Sequence, residues 1–111
     1  MSIVFPVSER ELNEEWFRAS ELEVEGKTEE AMKIYLEIAE RESDPALSAL
    51  SMLSAAKCAV KLGRMNEASE LFKAAGKMYE KLAEKVRESS PDLSEWARGM
   101  AIKCYQLAGE K

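Results

Sequence analysis

The chain has 111 residues, 46% apolar and 33% charged, with 21 acidic and 16 basic side chains and a net charge of −5. This length sets one domain, able to bury roughly 65% of its unfolded surface, and the composition excludes a disordered chain. There is no His, which removes the commonest metal ligand and general base; no apolar run is long enough for a membrane span, and an acidic chain is a poor nucleic-acid binder.

Ala, Glu, Lys and Leu dominate, no Val/Ile/Thr alternation occurs, and Gly and Pro number only five and three. The expected fold is therefore all-α. Residues 1–7 read as an extended arm, because Pro6 disfavours helix at Phe5. The remaining domain, 8–111, opens with a capping box, Ser8 as N-cap and Glu11 three residues on. A first helix then runs to about Glu25, carrying Leu12, Trp16, Ala19 and Leu22 or Glu23 at helical spacing, and Gly26 ends it.

Thr28 is the expected N-cap of a second helix with Ala31, Ile34, Tyr35, Ile38 and Ala39 as its buried stripe. Asp44-Pro45 spells its stop and the next start. The third helix, to Leu62, is rich in Ala and Ser, with Leu47, Leu50, Leu53, Ala56 and Val60 on one side. The fourth begins at Arg64 or Asn66 and continues to about Glu88. Its stripe is Ala68, Phe72, Ala75, Tyr79, Leu82 and Val86. Ser90-Pro91 starts a fifth helix, with Leu93, Trp96, Ala97, Met100, Ala101, Cys104, Tyr105 and Ala108, and Gly109 stops it.

Three segments share a spelling. Leu22-(x3)-Gly26-(x4)-Ala31-(x3)-Tyr35 is followed 37 residues later by Ala55-x-Lys57-Cys58-Ala59-(x3)-Gly63-(x4)-Ala68-(x3)-Phe72. The third, Ala101-x-Lys103-Cys104-Tyr105-(x3)-Gly109, lies 46 residues beyond the second and lacks a following helix. Periods of this size indicate an array of helical hairpins. Gly permits the tight turn, and the Ala five positions on lets the next helix approach closely.

This spelling resembles the tetratricopeptide repeat (TPR) family in its long-helix variety. The second repeat is similar to those of soluble NSF attachment proteins through Lys57-Cys58 and Leu71 to Glu80. The resemblance covers residues 12–111 and implies a right-handed array of antiparallel hairpins, about two and a half repeats. It departs from the family where Leu22 replaces the aromatic of the first hairpin and where the third hairpin is half present.

Adjacent carboxylates such as Glu29 and Glu30 point in different directions on a helix, so caps and solvation account for them. Cys58 and Cys104 occupy equivalent places and read as buried small apolar residues. Their reduced thiols make a cytoplasmic location the default. No nucleophile–base pair or metal set can be assembled, so neither an enzyme nor a cofactor is expected. The resemblance implies a helix-lined groove that binds another protein or a peptide. On it, Lys57, Lys61 and Lys103 would present charge to an acidic segment. Trp96 and Met100 would lie on the face that the missing helix after Gly109 should cover, a possible self-association face. The expected function is a non-catalytic interaction adaptor; the alternative is a small structural subunit or homo-oligomer assembling through apolar end faces.

Overall fold

A computed structural model describes residues 9–109, with side chains from Glu14 onward. The expected arm, the Ser8–Glu11 capping box and the packing of Leu12 lie outside the described residues. Among the described residues the chain is all-α, five helices and no strand: α1 (Glu9–Val24), α2 (Thr28–Arg41), α3 (Pro45–Lys61), α4 (Met65–Lys85) and α5 (Pro91–Leu107).

The repeat glycines end their helices in one way. Gly26, Gly63 and Gly109 have φ of 83°, 76° and 87°, a region that side-chain-bearing residues adopt only with strain. After the first two, the next amide reaches back five residues, Lys27 N to Leu22 O at 2.8 Å and Arg64 N to Ala59 O at 2.9 Å. The carbonyls of Lys27 and Arg64 then accept the first helical bonds of α2 and α4, from Ala31 and Ala68. This turn places the N-cap at Lys27, so Thr28 falls one residue inside α2 instead of capping it. Asp44 does cap α3, accepting from Ala46 N at 3.0 Å, with Pro45 at the first helical position. Ser90 stands at the N-cap of α5 without a side-chain cap bond. The fourth helix stops at Lys85, three residues short of the expected Glu88.

Each helix packs against its chain neighbours. They run antiparallel: Glu15 meets Arg41 while Glu23 meets Tyr35, and Ser94 meets Ala83 while Ala108 meets Ser69. Between the odd helices contact is slight. Lys61 of α3 bonds Glu23 of α1 at 2.7 Å, and Lys57 of α3 lies within electrostatic reach of Cys104 on α5. Beyond its chain neighbours, α3 is thus tied to α1 by an ion pair. The shortest extent, 18 Å, has room for two helix layers at the usual spacing of about 8–10 Å.

The stripes of α2 and α4 are buried largely as read: Ala31, Tyr35, Ile38 and Ala39 on one, Ala68, Phe72, Ala75, Tyr79 and Leu82 on the other. The third helix differs from its reading. Leu53 and Ala56 are buried, but Leu50 and Val60 stay 44% and 41% exposed. With α2 and α4 packed on α3, its small residues Ala49, Ala55, Ala56, Cys58 and Ala59 are all buried, while the larger Leu50 and Val60 stand at the open edge.

A 46-residue shift lays α5 on α3, Pro45 on Pro91 and Gly63 on Gly109. One tie is shared that the spelling did not bring out. Ser48 Oγ donates to the Ala39 carbonyl at 2.5 Å, and Ser94 Oγ donates to the Ala83 carbonyl at 2.7 Å. Each closes the gap between an odd helix and the preceding even one with a buried hydroxyl that is fully satisfied.

Gly76, mid-helix in α4, is buried against α5. A Cβ there would lie 2.9 Å from the Tyr105 ring, whose hydroxyl donates to Glu80. Ala for Gly in a helix gains about 1 kcal/mol, whereas overpacking a close contact costs about 1–3 kcal/mol. Gly76→Ala is therefore expected to lower stability in the native background and to raise it in a Tyr105→Ala background, a sign change that denaturant melts of the four-member cycle would register. The same sign in both backgrounds would contradict the contact.

Candidate interaction surface

A helix in the middle of the array is covered from both sides, and what it leaves open shows where the array can meet other molecules. Among the open positions on α3 are Leu50, Ser54, Lys57 and Lys61, at steps of four, three and four, with Ser54 half-buried, the others exposed, and exposed Val60 beside them. At 3.6 residues per turn these form one narrow strip. Shifted by 46 residues, the same strip on α5 is Trp96, Met100, Lys103 and Leu107. Trp96 is 50% and Leu107 49% exposed, and Met100 is half-buried. Matching Gly26 to Gly63 places Phe17, Ser20 and Val24 on the strip of α1, where Phe17 is 67% and Val24 89% exposed.

Trp96, Met100 and Lys103 thus share one face of α5, and Lys57 holds the equivalent place on α3; the sequence reading divided these residues between a groove and an end face. The end face itself is read from the equivalent positions of α3. Buried Ala49, Met52, Leu53 and Ala56 correspond on α5 to Glu95, Arg98, Gly99 and Ile102, all exposed. Apart from Ile102, the side that a following helix would take is polar or bare. Trp96 and Met100 lie beside that side. The opposite end is treated alike: buried Ser51, Ala55 and Cys58 correspond on α1 to exposed Glu14, Arg18 and Glu21.

Trp96 is not a loose side chain. Its ring meets buried Tyr79 edge-on, with centroids 5.7 Å apart, a geometry favoured by the ring quadrupoles. One side of the indole is therefore fixed and the other faces solvent, the arrangement of an interface anchor.

Of the three strip lysines, Lys61 is engaged within the fold. Glu23 accepts from Lys61 Nζ at 2.7 Å and from Tyr35 Oη at 2.9 Å, so one carboxylate joins α1, α2 and α3. Burial pushes the Glu23 carboxyl up, but the hydrogen bonds from Lys61 and Tyr35, with the Lys61 charge, outweigh it and hold the group below the ordinary range. Lys61 is raised in turn by its bond to Glu23. Burial takes the Tyr35 hydroxyl to about 12. Lys57 and Lys103 are exposed and have no acidic partner among the described residues.

Burial also raises the Cys58 thiol to about 11 and pushes Cys104 up against the opposing pull of Lys57 and Lys103. Both cysteines are free and buried, and at neutral pH such thiols are inert. Among the described residues no group of three or more His, Cys, Asp or Glu could hold a metal ion, and no helix is long and apolar enough to cross a membrane.

The strip of α1 and the apolar ends Leu50 and Leu107 were missed as site residues. Their signal is positional, at thirteen, nine, six or two residues before each turn glycine. No protein-family model matches the chain, and neither a curated protein nor a solved structure does.

The Glu23 junction has a definite pH signature. Its folded carboxyl lies below its unfolded value, so it stabilises the fold above the usual carboxylate range, and that contribution is lost as pH falls through the lowered folded value. Glu23→Gln should cost about 1–2 kcal/mol at neutral pH, with the stabilities of variant and native protein converging in acid. Chemical denaturation across pH checks this, and a constant gap would contradict it.

Proposed function

We propose that the chain is a non-catalytic, TPR-like interaction adaptor that binds another protein or a peptide along the strip of α1, α3 and α5. The observation that supports this best is the repetition of one open strip on all three odd helices. An isolated exposed Leu or Trp means little on a protein surface. Here Phe17, Val24, Leu50, Trp96 and Leu107 recur at set distances from the turn glycines, and two lysines without acidic partners among the described residues sit with them.

Such a surface suits a segment with both apolar and acidic groups. The scaffold behind it is preorganised, so the partner carries most of the ordering entropy. A cytoplasmic location accompanies this reading, because two free buried thiols fit a reducing compartment. Assembly through apolar end faces is the weaker reading, since Glu14, Arg18 and Glu21 occupy one end and Glu95 and Arg98 the other.

Selection of binders from a displayed peptide library provides the test. Lys57→Glu with Lys103→Glu should weaken the selected peptides about tenfold or more and leave the melting temperature nearly unchanged, because both side chains are exposed. Peptides held equally well by the double variant would sink the assignment of the strip.

A further inference from the structure

The strip on α3 and α5 calls for a helix that presents apolar residues flanked by carboxylates. This chain presents one itself. On the outer side of α1, Phe17, Ser20 and Val24 line a shallow cavity of about 320 Å³ together with Glu21 and Glu25. Glu25 forms an ion pair with exposed Lys27 at 3.7 Å, a surface contact that leaves its charge largely available. We infer that the free protein forms a two-fold dimer in which α1 of each copy lies against the α3–α5 strip of the other. The inference rests on the strip being a protein-binding surface, as proposed above, and names its occupant as a second copy of this chain.

Charge and shape point the same way. Leu50, Trp96 and Leu107 would receive Phe17 and Val24, while Lys57 and Lys103 would meet Glu21 and Glu25. The wider field adds to this. Residues 1–44 hold thirteen acids and five bases, and residues 45–111 hold eight acids and eleven bases. Opposed halves steer one copy onto another at long range. Packing α1 on α1 would instead bring glutamates together. A two-fold uses both strips at once and closes, whereas a head-to-tail contact leaves one strip open at each end of a growing chain. The dimer also hides the apolar strip from water until a tighter partner displaces it.

Two variants and their mixture test this by sedimentation velocity. Glu21→Lys with Glu25→Lys reverses the α1 side, and Lys57→Glu with Lys103→Glu reverses the strip. All four side chains are exposed, and circular dichroism would confirm that each variant folds. The native protein should dimerise as its concentration rises, and each double variant should dimerise about tenfold less well or worse. Mixed together, the two variants should form a heterodimer, because one half of that pair sets the two reversed sides against each other and the other half keeps the native pairing, so opposite charges meet in both. A native protein that stays monomeric to millimolar concentration overturns the inference. So do variants that dimerise like the native protein, or folded variants that fail to pair. If the native monomer still binds library peptides through Lys57 and Lys103, the dimer falls and the adaptor reading stands. If the dimer forms as described and no peptide competes for it, the adaptor reading falls instead.

Discussion

The arrangement depends on how closely three helices approach at α3. Flanked by α2 and α4 and tied at one edge to α1, α3 can bury side chains over most of its circumference only if they are small. Its buried positions are accordingly Ala, Ser and Cys, joined by Met52 and Leu53. A bulky residue at Ala55 or Ala59 would push a neighbouring helix away, and close-packed interiors do not absorb such changes without strain. The small residues make the packing tight, and the tightness leaves a narrow strip where Leu50, Lys57, Val60 and Lys61 emerge.

Two local devices hold the layers in register around that helix. The glycine turns at Gly26 and Gly63 fix where each even helix starts relative to the preceding odd one. Buried serine hydroxyls then tie α3 to α2 and α5 to α4 at the far ends. Between α1 and α3 the Glu23 carboxylate adds a third joint through Tyr35 and Lys61. The 46-residue shift puts Leu107 where Lys61 stands, so α5 offers an apolar group at the place where α3 offers an ion pair. That substitution makes the C-terminal part of the strip more apolar than its centre.

Much of this was legible in the sequence. The all-α fold, the five helices, the turn glycines, the Asp44 cap and the stripes of α2 and α4 follow from periodicity and turn chemistry. The face of α3 was not legible, because a helix that is apolar or small all round has no polar side to orient it, and Leu50 and Val60 then look like core. Thr28 looked like a cap because its side chain suits one, but the glycine turn had already set the boundary at Lys27. The Glu23 junction joins residues 12 and 38 positions apart, beyond any local pattern. The division of Lys57, Lys103, Trp96 and Met100 into two surfaces came from placing Trp96 on the end of the array. Counting back from Gly63 and Gly109 puts Trp96, Met100 and Lys103 on one face of α5 and Lys57 at the equivalent place on α3.

The account stands on α1, α3 and α5 lying side by side with their strips facing the same way. Spin labels at Ser20, Lys57 and Lys103, which hold the same place on the three helices, measure this directly. The predicted result is two similar short separations, 20 to 57 and 57 to 103, and a 20-to-103 separation about twice as long, as evenly spaced neighbouring helices require. A 20-to-103 separation no longer than the other two would mean that the helices close into a bundle, and would contradict the open strip.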